Sequence, residues 1–195
     1  MDILLSKIIY LLKTKYNIDV SVLDERISEK KEKLGWNKGK IILQNNFRTK
    51  EGTLFMILHI FGHLVQYNLN NHKYKKLLKI INFKSYLKLE TKDIISYKEK
   101  YFLYEQEAFM IGKSLLINYF HFYENLEDKY EAFLYADFDL YWNYILTNEI
   151  NESIFYKTYN EKISFFKQNK LKYVDYIKVS PFNIGETKKK SIIIK

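Results

Sequence analysis

A mostly helical α+β fold is what this sequence predicts, and three observations carry that reading. One proline and six glycines in 195 residues are too few turn-formers for a turn-rich β fold and favour long helices. Apolar residues recur at helical spacing through several long windows. Two short β-branched runs, at 20–23 and 40–44, fall early in the chain and point to a small sheet or hairpin.

The elements follow in order. Residues 3–16 read as an amphipathic helix with Leu4, Ile8, Leu11 and Leu12 as its inward stripe. Asn17-Ile18-Asp19 breaks it, and 20–23 reads as a strand. The charged stretch 24–33 has no strong period and reads as a loop or short helical turn. Gly35-Trp36-Asn37-Lys38-Gly39 has turn chemistry before the second run, so a hairpin or meander is expected. Thr49 or Thr53 can cap the next helix, which runs to about Asn68. Its core, TLFMILHIFGHLVQYN, is apolar on nearly every face, as expected of a helix buried mid-domain. Residues 72–90 read as a lysine-rich helix with Tyr74, Leu77, Leu78 and Ile81 turned inward. Thr91 and Asp93 open a long helix reaching about Phe120, and further helices are expected near 129–147 and 153–169. Residues 174–179 read as extended, followed by Pro181 and a loose basic tail around 188–190.

Bulk composition narrows the function classes. A hydrophobic share of 47%, with 18 Tyr and 14 Phe, is ample for one core, much of it aromatic. The net charge of +9 invites a nucleic-acid reading, but Arg26 and Arg48 are the only arginines. Specific nucleic-acid readers lean on arginine for forked contacts, so solvated lysine faces explain the charge better. The absence of cysteine removes disulfides and thiolate metal sites, leaving His, Asp and Glu as metal donors. At the N-terminus Lys7, Lys13 and Lys15 interrupt the apolar residues. Neither a signal-peptide pattern nor an uninterrupted transmembrane stretch is expected. The expectation is a soluble cytoplasmic protein without a membrane partner.

Two of the four histidines, His59 and His63, stand at i and i+4 in the most apolar helix. That spacing stacks both imidazoles on one face, where they can share a metal ion. Burying two imidazoles among Leu, Ile and Phe requires partners for their nitrogens. Spacing alone leaves open whether the partner is a metal or a set of hydrogen bonds to backbone or tyrosine. A third metal donor is available from Glu105 or Glu107 in the long helix. Ala108 and Gly112, small residues one turn apart, let a neighbouring helix come close enough for such a glutamate to reach across. Two His and one Glu form a familiar catalytic zinc set; solvent-facing glutamates are the plainer alternative. His72 and His121 carry no assigned role.

The order of helix, strand, KIILQNN, TLFMILHIFGHLVQ and then EQEAFMIGKSLL resembles the ImmA/IrrE family of metallopeptidases. In that family one helix carries His-Glu-x-x-His, commonly HEFGH or HELGH, and a later helix carries Glu-x-Glu-Ala before small residues and a Leu-Leu pair. The resemblance spans about residues 1–120. It implies a zincin-like helical core over 1–122, with 123–195 a helical extension and basic tail packed on it as one unit. It also implies that His59, His63 and Glu107 take the zinc-ligand positions, with Glu105 as the alternative ligand or base and Tyr104 and Tyr67 lining the site. The expected cofactor is zinc. The expected partner is a protein of the helix-turn-helix regulator class, which members of the family cleave.

The departure from the family pattern matters as much as the match. The glutamate that should follow the first histidine takes a proton from zinc-bound water and passes it to the leaving amine. Here that position is Ile60, which moves no proton. General acid–base help is typically worth about 10²–10⁴-fold. The sequence therefore points to a degenerate metallopeptidase-like protein that binds a regulator. An active zinc endopeptidase would need a displaced carboxylate, from the Glu105/Glu107 pair, Glu99, Glu124 or Asp137. A basic nucleic-acid-associated protein using the 72–90 lysine–tyrosine stripe is the third reading.

Overall fold

The structure is a computed structural model that describes residues 1–23, 35–37, 39–44, 49–69, 91–120 and 124–169. Among these are five α-helices and a small three-stranded sheet, which packs against the first two helices. The expected helix at 72–90, His72, His121 and the basic tail lie outside the described residues.

Helix α1 (Asp2–Tyr16) buries Leu4, Ile8, Leu11 and Leu12, the stripe its spacing predicts, together with Tyr16. It ends because Asn17 turns left-handed (φ 52°, ψ 42°). The Asn17 N–H then caps the Lys13 carbonyl, and the Ile18 N–H caps that of Leu12. Asparagine tolerates this conformation better than other L-residues.

Strand β1 (Asp19–Leu23) follows at once, and β2 (Gly35–Asn37) and β3 (Lys40–Gln44) form a hairpin. Its turn contains Gly39 at φ 80°, a conformation that suits glycine. A hairpin is present, but Gly35–Asn37, read as part of the turn, is its first strand, and the sheet is not a meander. Its order is β1-β3-β2, with β1 parallel to β3 from Asp19↔Lys40 to Leu23↔Gln44. This pairing puts Ile41 and Leu43 on the face that packs into the core with Ile18.

Helix α2 (Lys50–Leu69) begins where the Thr49 hydroxyl accepts the Gly52 N–H at 3.0 Å, so Thr49, not Thr53, supplies the cap. Every residue from 53 to 66 is buried, as its unbroken apolar sequence predicts. Tyr16 meets Phe61 edge-on at 4.9 Å and fastens α1 to it.

Helix α3 (Thr91–Tyr119) crosses α2 at very short range. A methyl group added to Gly62 would lie 1.9 Å from the Ala108 carbonyl oxygen, and one on Gly112 would lie 2.4 Å from that of Leu58. Ala108 and Gly112 were legible as a close contact in the sequence; Gly62, the residue they need opposite them, was not.

Helix α4 (Glu124–Thr147) starts earlier than the sequence period suggests, because Leu126 and Tyr130 already belong to the core. The same apolar cluster runs from Leu4 of α1 through α2 and α3 to Phe133 and Leu134 of α4, so it crosses the expected 122/123 boundary without a break. Lys113, 3% exposed, is held between Glu127 and Glu131 and pins α3 to α4. Helix α5 (Glu152–Asn169) packs on α4 through Phe155 against Phe133 and a Thr158–Asp139 hydrogen bond. None of the described helices is long and apolar enough to cross a membrane.

Replacing Gly62 by alanine tests the crossing. Helix propensity alone would favour Ala by about 1 kcal/mol, whereas overpacking costs about 1–3 kcal/mol. With a backbone oxygen 1.9 Å away and no flexible side chain to give, the clash dominates. A net loss of about 2 kcal/mol in urea unfolding is expected for Gly62→Ala.

Candidate metal centre

The α2–α3 crossing places His59, His63 and Glu105 together, each 6% exposed or less. Glu105 Oε2 lies 2.8 Å from His59 Nε2 and 3.1 Å from His63 Nε2. The rings of the two histidines are 4.5 Å apart, as the i, i+4 spacing requires. Phe109 covers the His59 ring at 4.1 Å and Tyr104 covers His63 at 4.8 Å.

The far side of each imidazole is also occupied. Asp137 of α4 brings Oδ2 to 3.2 Å from His59 Nδ1. The nitrogen has no well-formed hydrogen bond, so the contact is an electrostatic one between buried groups. Gln66, one turn after His63, brings Oε1 to 2.9 Å from His63 Nδ1. Tyr101, one turn before Glu105, is buried close to its carboxylate. Burial, helped by the charges of Glu105 and Asp137, pushes the Tyr101 phenol well above its ordinary range, which keeps it a donor.

The charges answer one another. Burial alone would depress the His59 pKa, but the close polar contact with Asp137, the hydrogen bond with Glu105 and the charges of both outweigh this and raise it to about 9. Burial would likewise raise that of Glu105. The charge of His63 and the hydrogen bonds from both histidines instead drive it far below the ordinary carboxylate range.

The sequence-derived candidates sort clearly. His59 and His63 come together as their spacing suggests. The third donor is Glu105, not Glu107, the one the family resemblance implied. Positions two apart on a helix differ by about 200°, so the two glutamates meet different residues of α2 and only Glu105 meets the histidines. Glu107 is half-buried and accepts a hydrogen bond from Gln66 at 2.8 Å instead. Tyr104 lines the site through its ring; the Tyr67 side chain lies outside the described residues. Ile60 is 8% exposed and part of the main apolar cluster. Of the alternative bases, Asp137 stands behind His59 and Glu99 is exposed, while the Glu124 side chain is not described. Gln66 and Tyr101 were missed. Their only sequence signal is position, one turn from His63 and one turn from Glu105.

The donor set fits a metal ion. His59, His63 and Glu105 each offer an atom within 4.8 Å of the other two. Both histidines present Nε2 inward and have Nδ1 engaged from behind, the arrangement that orients imidazole ligands. Two nitrogens and a carboxylate oxygen, without thiolate, suit zinc.

No protein-family model matches the chain, and no curated protein or solved structure does so either.

Two measurements bear on this centre. Glu105→Ala should abolish zinc uptake measured by elemental analysis, whereas Glu107→Ala should weaken it without abolishing it. The metal-free protein should also lose stability in alkali. His59 is raised in the folded state, so its contribution is complete below about pH 6.5 and is lost as pH rises through about 9. Urea unfolding across that window should show a fall of up to roughly 3 kcal/mol.

Proposed function

We propose that this protein is a degenerate ImmA/IrrE-like metallopeptidase fold that keeps a zinc centre at His59, His63 and Glu105, lacks efficient hydrolysis, and acts by binding a protein partner. The observation that carries the reading is the pairing of an assembled donor set with an apolar residue where the base should stand. Nε2 of both histidines converges on one Glu105 oxygen, while Ile60 sits in the apolar cluster.

The surroundings of the donors support the same conclusion. None of the three side chains exceeds 8% exposure, and peptide hydrolysis needs a substrate carbonyl beside the metal with a base within hydrogen-bond reach of the water. The carboxylates nearest the donors have other partners: Asp137 faces the back of His59, and Glu107 is engaged with Gln66. An endopeptidase using a displaced carboxylate is therefore the weaker reading. Bound in this place, zinc would supply a positive centre joining α2 and α3. The His59–Asp137 contact extends that link to α4. The resemblance makes a cytoplasmic helix-turn-helix regulator the first partner to test. The nucleic-acid reading rests on the 72–90 stripe, which lies outside the described residues.

The deciding experiment combines metal content with a cleavage and binding assay on a co-encoded helix-turn-helix protein. Close to one zinc per chain, lost in His59→Ala and Glu105→Ala, is expected, with a stable complex and no chelator-sensitive cleavage. Cleavage abolished by chelator would establish the endopeptidase instead. Metal-free protein after dialysis against zinc would remove the centre altogether.

A further inference from the structure

We infer that Gln66, anchored by Glu107, is a positioning residue that fixes which ring nitrogen His63 presents to the centre. This rests on the reading of His59, His63 and Glu105 as a metal site. Gln66 is only 2% exposed. Its Nε2 donates to the Tyr104 carbonyl at 2.8 Å and to Glu107 Oε2 at 2.8 Å, and its Oε1 stands 2.9 Å from His63 Nδ1.

A primary amide has two N–H donors and one acceptor oxygen. Here both donors meet groups that only accept, a peptide carbonyl and a carboxylate. Turning the amide over would press its oxygen against both of them, two acceptor–acceptor contacts in a buried place, where unmet polar groups cost most. The amide therefore has one orientation, whatever the ring does. Its oxygen faces His63, and the ring nitrogen opposite must carry a hydrogen. With that hydrogen held on Nδ1, the atom offered to the centre is Nε2, the one 3.1 Å from Glu105.

Glu107 thereby gains a role different from that of a ligand. It lies on the same helix as Glu105, yet it acts on His63 through Gln66, two hydrogen bonds away from the centre. The chemistry also explains the residue type at 66. Leucine would remove the acceptor oxygen that faces His63 Nδ1. Glutamate would set a second negative charge against Glu107. Asparagine is one methylene too short to span from His63 to Glu107.

The test is zinc titration of the full chain against a competing chelator, alongside 1H–15N spectra of the histidine side chains. In the wild type the His63 Nδ1–H resonance should be protected from exchange in both zinc-free and zinc-loaded protein. Gln66→Leu should lose that protection and bind zinc roughly 10–100-fold more weakly, the usual size of an outer partner's effect. Glu107→Leu, at a half-buried position that should leave the fold intact, is expected to weaken zinc binding roughly 3–10-fold. Glu107→Gln keeps an acceptor oxygen and should recover most of the wild-type affinity. If Gln66→Leu does not fold, the two Glu107 variants decide. The inference is overturned if Gln66→Leu binds zinc within about twofold of wild type with an unchanged Nδ1–H signal. It is also overturned if Glu107→Gln is as weak as Glu107→Leu. Should the wild type take up no zinc, the metal reading itself fails, and the protection of His63 Nδ1–H in the metal-free protein still decides for or against Gln66.

Discussion

The close crossing of α2 and α3 is the constraint on which the rest of the structure depends. Gly62 lies against the Ala108 carbonyl and Gly112 against that of Leu58, with no room for a side chain at either glycine. The contacts of Glu105 with both histidines are set by that separation. Glu105 stands one turn before Ala108, and His63 directly follows Gly62. Moving the helices apart by even the width of a methyl group would stretch the contacts of 2.8 and 3.1 Å beyond hydrogen-bonding range. The helices are close because their contact residues are small, and the polar residues meet because the helices are close.

A second constraint follows from burial. Glu105, Asp137, His59 and His63 are placed among Phe109, Tyr101 and Tyr104, where an isolated charge would be strongly unfavourable. Each charge therefore has an answer nearby, and the answers come from different helices. Asp137 belongs to α4, in the part of the chain that reads in sequence as a helical extension packed on the core. Helix α4 supplies Tyr130, Phe133 and Leu134 to the main core and Lys113 of α3 ends in its carboxylates. Three helices, contributing residues 59, 105 and 137, thus share one polar cluster.

Much of this was legible in the sequence, for reasons that can be named. The i, i+4 histidines in an unbroken apolar helix required a shared partner, and the Ala108–Gly112 pair marked where that partner would approach. The choice between Glu105 and Glu107 was also legible, had the small residues been used as a phase marker. Glu105, Ala108 and Gly112 are spaced by three and four residues and share a stripe, whereas Glu107 lies off that stripe and meets Gln66 rather than the histidines. Other features had no such signal. Gln66 and Tyr101 are ordinary residues whose roles depend on tertiary placement, and in a chain with 18 tyrosines one more carries no information. Parallel pairing of β1 with β3 was hidden for a similar reason: strand patterning gives faces, not partners.

The packing of Ile60 has a consequence for how this chain can vary. Its side chain fills part of the main apolar cluster, so the position is a packing site as well as the neighbour of His59. A glutamate at 60 would place a carboxyl among aliphatic and aromatic groups, where it would favour the neutral, proton-holding form. The surrounding side chains would also have to give way. A working proton acceptor at this position would thus need compensating changes in the residues packed around it, not a single substitution.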